Sequence, residues 1–296
     1  MKIEGFTYVR NGLRMGYPFV ASIKSALPVV DKIYVVVGNS DDGTREAVVD
    51  IGSDKIVIID TVWDDSIRTD GAIFRQQANI GLEQTKGDWC LHIQADEVLD
   101  EFAKDEIIKT FELADKHDDV DGVIFPRLNF WGDYNHVQNT RRADRYEVRA
   151  FKSNRNVMSF GDSHSFRKYE TKDYSTKGEK LIVIKSKATF YHYSYTRNPK
   201  LMTKKSNYFN TFWHNDEWIK AHSKTEEFDY NIVDKLEPFK GKHPIYMEEV
   251  IKNQDWEFNY NPKLSNMTLK EKFLYNFEKI FNYRPFEYKN FIEKKV

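Results

Sequence analysis

The pattern of apolar and polar positions changes character part-way along this chain. Through residue 126, short runs rich in Val and Ile alternate with stretches whose apolar residues recur every three or four positions. The runs at 5–9, 32–37, 55–60 and 87–95 read as strands. Residues 17–27 and 72–85 read as helices, with others starting near Thr44 and just after Glu101. Nearly continuous apolar strands separated by helices predict an α/β fold with a mostly parallel sheet flanked by helices. A further strand at 122–125 is closed by Pro126. Beyond it the alternation stops. Short β-like runs at 148–151, 181–185 and 188–193 predict an antiparallel extension, and 198–222 and 268–282 are helical in character.

The strand at 87–95 carries the first candidate chemistry. Trp89, Leu91 and Ile93 alternate with smaller or polar residues, and the run ends in Asp96-Glu97. In open α/β sheets ligands bind beyond the carboxyl ends of the strands. The two carboxylates are therefore candidates for handling a metal or a phosphate. The plainer reading is a strand end before an acidic helix N-terminus. A second loop, Gly38-Asn39-Ser40-Asp41-Asp42-Gly43-Thr44, follows the 32–37 strand with two permissive glycines and several helix-capping side chains.

Composition narrows the class. Lys and Arg total 45 against 46 Asp and Glu, so the net charge of −1 supports no general electrostatic grip on nucleic acid or an anionic membrane and leaves room only for local basic patches. The single cysteine, Cys90, excludes an intrachain disulfide, which suits a reducing compartment, and its place in an apolar strand makes it a buried hydrophobe. No apolar run approaches the ~20 residues of a membrane span, and Met1-Lys2-Ile3-Glu4-Gly5 starts no secretory signal. A cytoplasmic protein without a transmembrane segment is expected.

Three motifs now stand in a fixed order: Val36-Val37-Gly38-Asn39-Ser40-Asp41-Asp42-Gly43-Thr44, Arg75-Gln76-Gln77-Ala78-Asn79-Ile80-Gly81, and Gly87-Asp88-Trp89 leading to Gln94-Ala95-Asp96-Glu97. Together they resemble the GT-A fold glycosyltransferases of the family 2 type, over roughly residues 3–195. The resemblance implies a Rossmann-like GT-A sheet, with a nucleotide-sugar-binding half at 1–126, an acceptor-side half of the same domain at 127–222 and a C-terminal helical extension at 223–296. It implies inverting transfer from a nucleotide-diphosphate sugar, a UDP-sugar first, to a glycan or other hydroxyl acceptor. A divalent cation is implied, Mn²⁺ in preference to Mg²⁺. Asp96 matches the family's metal-binding aspartate, with Glu97 beside it. Arg75 matches a basic position near the diphosphate, Asp42 the aspartate of the loop after the second strand, and Asn11 the polar position near the base. Gln94 stands where the family has the first aspartate of Asp-X-Asp, removing one carboxylate. The family's base-reading aspartate falls on Val37 or Gly38.

Later segments supply the remaining candidates. Tyr191-His192-Tyr193-Ser194-Tyr195-Thr196-Arg197 resembles the family's late histidine segment and makes His192 a second metal ligand. Phe160-Gly161-Asp162-Ser163-His164-Ser165 falls where related enzymes carry Gly-X-X-His-Glu. The glutamate position is Ser165 here, so the general base becomes Asp162 or His164, with Asp162 favoured. Arg141, Arg142, Arg145, Arg149 and Arg155 form a basic stretch, either a grip for phosphate or a solvated loop. Phe209, Phe212, Trp213 and Trp218 read as a helix core covering the site. The stretch 273–281 is amphipathic and interleaved with Lys, and reads as a helix docked by its apolar face, with peripheral membrane contact as the alternative. Two other functions stay open: a catalytically inactive nucleotide- or sugar-binding relative, and a nucleotidyltransferase.

Overall fold

The computed structural model describes residues 1–171 and 177–296. The N-terminal elements follow the expected alternation: β1 (Ile3–Val9), α1 (Phe19–Ala26), β2 (Lys32–Gly38), α2 (Thr44–Val49), β3 (Ile56–Thr61), α3 (Ala72–Gln84) and β4 (Trp89–His92). These four strands lie in the order β3-β2-β1-β4 and are all parallel. The Val and Ile side chains of β1 and β2 are buried in the middle of this sheet, and those of the edge strand β3 are only half-buried. On one face Trp89 of β4 stacks on Phe111 at 4.1 Å. Truncating such an aromatic to Ala costs about 3–5 kcal/mol.

The chain then departs from the sequence reading in three places. First, the run at 87–95 is cut short at His92, and residues 97–99 make a separate strand, β5 (Glu97–Leu99), before α4 (Ala103–Asp115). Second, Pro126 does not close its strand. β6 (Gly122–Trp131) runs straight through it, because proline's fixed φ suits an extended chain and forfeits only one ladder hydrogen bond. Third, the extension is only partly antiparallel. After β7 (His136–Val137), β8 (Tyr146–Lys152) runs antiparallel to both β4 and β6. A hairpin of β9 (Val157–Phe160) and β10 (Ser165–Lys168) follows. β11 (Leu181–Lys185) and β12 (Phe190–Tyr195) then pair parallel to β6.

Two helices, α5 (Pro199–Asn210) and α6 (Asp216–His222), occupy the predicted 198–222 helical stretch, each started by an asparagine cap. The remainder is sparse in regular structure: β13 (Glu237–Pro238), α7 (Glu248–Lys252), α8 (Leu269–Phe281) and β14 (Phe291–Glu293), which adds to β11. The result is a large mixed sheet flanked by helices, the GT-A-like arrangement expected. Among the described residues no helix is long and apolar enough to cross a membrane.

Candidate active site

The extra strand β5 builds the centre of the site. β12 lies between β5 and β6, with His192 in register with Glu97 on one side and Asn129 on the other. The Tyr193 N–H donates to the Asp96 carbonyl at 2.8 Å. This pairing brings His192 Nε2 to 3.7 Å from Asp96 Oδ1. The imidazole is oriented from behind. Asn129 Nδ2 donates to the Asp144 carbonyl at 2.9 Å, so Asn129 Oδ1 accepts from His192 Nδ1–H, also at 2.9 Å. Nε2 therefore carries the lone pair and faces the carboxylate.

Charge settles the protonation of this pair. Burial pushes the Asp96 carboxyl upward, but His192, Lys205, Arg197 and Arg127 around it outweigh that and hold it at about 2. Burial, with Arg127 adding to it, drives His192 down to about 3, so the ring is neutral at physiological pH. The pair is a carboxylate and an imidazole lone pair, too far apart to hydrogen-bond and close enough to share one cation. These residues thus fit a divalent metal as two of its ligands. Among the described residues no group of three or more His, Cys, Asp or Glu could hold an ion, so the rest of the shell would fall to oxygens of a ligand and water. On the other side of Asp96, Lys205 Nζ stands 4.0 Å from Oδ2 and donates to Ser194 Oγ at 2.8 Å. Burial and Arg197 lower the Lys205 pKa well below the ordinary range.

Beneath this pair lies a buried ionic network. Arg149 and Glu97 are both fully buried and joined by Nη2–Oε1 and Nε–Oε2 hydrogen bonds of 2.8 and 2.9 Å. Arg127 Nε lies 3.3 Å from Glu97 Oε1, and its Nη2 donates to Gln94 Oε1 at 3.3 Å. Glu147 completes the network, its carboxyl pushed up to about 7 by burial against the pull of Arg149 and Arg127.

A cavity of about 270 Å³ opens over these groups, lined by Gln94, Asp96, Arg127, Arg149, His192 and Lys205 on one side. Asp162 and His164 reach it from the β9–β10 turn, with His164 Nδ1 hydrogen-bonded to Asp162 Oδ1 at 2.7 Å. Asp162 raises the His164 pKa. Gly161 (φ +65°) makes the placement possible, since a Cβ there would sit 2.6 Å from His164 Cε1. The opposite wall is aromatic: Tyr8, Trp63, Phe74, Tyr208, Phe209 and Trp213. Phe74 stacks on Phe209 at 5.1 Å and meets Phe212 at 5.0 Å, so α5 and the turn after it do cover the site. Trp218 instead stacks between His214 and His222, away from that cluster.

The structure thus gathers Gln94, Asp96, Asp162, His164 and His192 around one cavity. It leaves the other candidates outside its lining. Glu97 sits underneath, committed to Arg149. The Asp42 carboxylate accepts from the N–H groups of Thr44 and Arg14, at 3.1 and 2.7 Å, and ties two loops together. Asn11 donates its backbone N–H to Ser40 Oγ at 2.9 Å in the same loop region. Arg75 lines a separate groove with Gln76, Asn79 and Asn156. Most of the basic stretch also lies outside this lining. Arg141, Arg142 and Arg145 pair with glutamates of the C-terminal segment, and only Arg149 reaches the cavity. Sequence reasoning missed Arg127 and Lys205. Arg127 and Asn129 alternate as polar residues along one strand, a readable signal; nothing separates Lys205 from Lys204 in the sequence.

No family model and no curated protein matches the chain. Solved structures give partial likenesses. Mannosyl-3-phosphoglycerate synthase from Rubrobacter xylanophilus is 17% identical over 44% of this chain, with a TM-score of 0.30. S. aureus TarS residues 1–349, in complex with UDP-GlcNAc, is 11% identical over 70% of this chain and 65% of its own, with a TM-score of 0.38. A nucleotidyl transferase from Methanothermobacter thermautotroptrophicus is 14% identical over 51% of this chain and 72% of its own, with a TM-score of 0.28. The chain spans 41% of the synthase and 39% of TarS.

Proposed function

We propose that this protein is a GT-A type glycosyltransferase that moves a sugar from a nucleoside diphosphate to an acceptor hydroxyl with inversion. The observation that supports it most is the facing pair of Asp96 Oδ1 and His192 Nε2, 3.7 Å apart at the floor of a cavity. A carboxylate–imidazole dyad, Asp162–His164, stands in the same lining. Asp96 and His192 would hold a divalent cation, Mn²⁺ first, which supplies neutralising charge for a leaving diphosphate.

The chain's own residues do the rest. Lys205 and Arg127 present N–H groups to phosphate oxygens beside that pair. His164 takes the proton from the acceptor hydroxyl at Nε2, with Asp162 holding Nδ1–H and stabilising the ring as it charges. The hydroxyl oxygen bonds to the anomeric carbon while the bond from that carbon to the diphosphate breaks, so the configuration inverts. The assignment passes the base role from Asp162 to His164, because the Asp162 carboxylate is already occupied by the ring. The aromatic wall stacks on the apolar face of the sugar. At about 270 Å³ the cavity is near the small end of ligand sites, roughly 300–1,000 Å³. It therefore takes the sugar-diphosphate end, and the nucleoside lies outward over the loop of Asn11 and Asp42.

Turnover of a panel of nucleotide sugars with Mn²⁺ tests this reading. Hydrolysis or transfer from one of them, lost in Asp96→Asn, is expected. A protein that binds nucleotide sugars yet turns none over would make it an inactive relative. Release of pyrophosphate from a nucleoside triphosphate and a sugar phosphate would make it a nucleotidyltransferase.

A further inference from the structure

Helix α8 is built inside out. Its inward side is polar. Glu271 accepts from Arg142 Nε and Nη2 at 2.7 and 2.9 Å. Glu278 pairs with Arg141 and accepts from Arg284 Nε at 2.8 Å. Tyr275, the one buried residue of the helix, donates its hydroxyl to Glu237 at 2.6 Å. At 100° per residue these three lie together, and Leu269, Phe273, Phe277 and Ile280 form the opposite stripe at i, i+4, i+8 and i+11. That stripe faces solvent: Leu269 is 85% exposed, Phe273 69% and Ile280 75%. The sequence reading had the apolar face docked, and the structure reverses it. The arginines at 141 and 142, which resembled a phosphate grip, are what hold the helix by its acidic face.

An outward apolar stripe needs a partner, and the charges around it select one. Lys270 borders one side of the stripe and Lys272 the other, and neither makes an ion pair among the described residues. Both glutamates of the helix are spent on arginines of the body, so the exposed charge beside the stripe is positive. Residues 266–296 hold seven basic and four acidic side chains in a chain of net charge −1. The chain after the helix adds Tyr283, Phe286 and Tyr288 to the surface, Phe286 at 97% exposure. Aromatic and aliphatic side chains rimmed by lysine suit the interface of an anionic lipid bilayer, where rings sit among headgroups and lysines meet phosphate. A second copy suits it less well. A helix of 13 residues is about 20 Å long, and one stripe of it falls well short of the ~800 Å² per partner of a stable interface. Two copies would also bring lysine rims against each other.

We propose that α8 docks the protein on an anionic membrane surface, its Leu269–Phe273–Phe277–Ile280 stripe entering the headgroup layer and Lys270 and Lys272 contacting lipid phosphates. This stands independently of the reaction assigned above. The protein is spun with phosphatidylcholine vesicles, with and without about one third phosphatidylglycerol, a content giving a strongly negative surface. Wild type is expected to sediment with the anionic vesicles and to be released by salt. Phe273→Asp/Ile280→Asp is expected to weaken partitioning by about tenfold or more. Lys270→Glu/Lys272→Glu is expected to erase the preference for anionic vesicles. All four side chains are exposed, so circular dichroism and melting should match wild type, and the lysine variant keeps the test valid if the other misfolds. Wild type remaining in the supernatant, or variants sedimenting as wild type does, overturns the proposal. Self-association without lipid binding, lost in Phe273→Asp/Ile280→Asp, overturns it in favour of a second copy.

Discussion

Two parts of this molecule are held by arginine–glutamate pairs, and they use them to opposite ends. Under the cavity, Arg149 and Glu97 are wholly buried and Arg127 nearly so, and the pairs fix groups that face a ligand. Under α8, Arg142–Glu271 and Arg141–Glu278 are part-exposed and fix a helix whose apolar side faces out. A fully desolvated pair stabilises weakly against its own desolvation cost, but breaking it strands a charge. A part-exposed pair is screened and contributes little. The same residue types thus serve positioning in one place and attachment in the other, and burial tells them apart.

The largest effect belongs to the cavity: His164→Gln should lower turnover by about 10²–10⁴-fold, while leaving donor binding and melting near wild type. Next is Glu97→Gln, which leaves buried Arg149 without its nearer charge partner, only Glu147 at 3.8 Å remaining, and should cost about 3–5 kcal/mol in denaturant unfolding. A loss no larger than that of a surface pair would show that the network is not desolvated. Glu147 gives a pH signature. Its folded pKa of about 7 lies above the ordinary value of 4.5, so its contribution is full below pH 4.5 and is lost as pH rises through 7. Stability should fall over that window by up to about 1.4 kcal/mol per pH unit, and Glu147→Gln should flatten the slope. The smallest effect belongs to the helix. Arg142→Ala should cost about 1 kcal/mol or less with no change in turnover.

Much of the first half was legible because its physics is local. The β-branched runs and intervening helices predict β1 to β4 within two or three residues, and Asp96 falls beyond the last of them as the rule for open sheets requires. The motif resemblance also pointed to His192, Asp162 and His164, which the structure brings into one cavity with Asp96. What was not legible depends on long-range pairing. No period distinguishes residues 97–99 as a strand, because β5 exists only through its partner β12. That same pairing places His192 against Asp96. Pro126 reads as a stop although it sits inside a strand. Helix α8 was legible as a helix, down to its Thr268–Glu271 capping box, but an amphipathic pattern does not say which face is inward. That is decided by Arg141 and Arg142, more than a hundred residues upstream in sequence.

The most direct test of the central claim is the affinity for UDP with and without Mn²⁺, measured by calorimetry on wild type, Asp96→Asn and His192→Gln. If Asp96 and His192 hold the cation that meets the diphosphate, Mn²⁺ should tighten binding to wild type by roughly tenfold or more, and neither variant should show that gain. Equal tightening in wild type and both variants would place the diphosphate elsewhere and contradict the assignment.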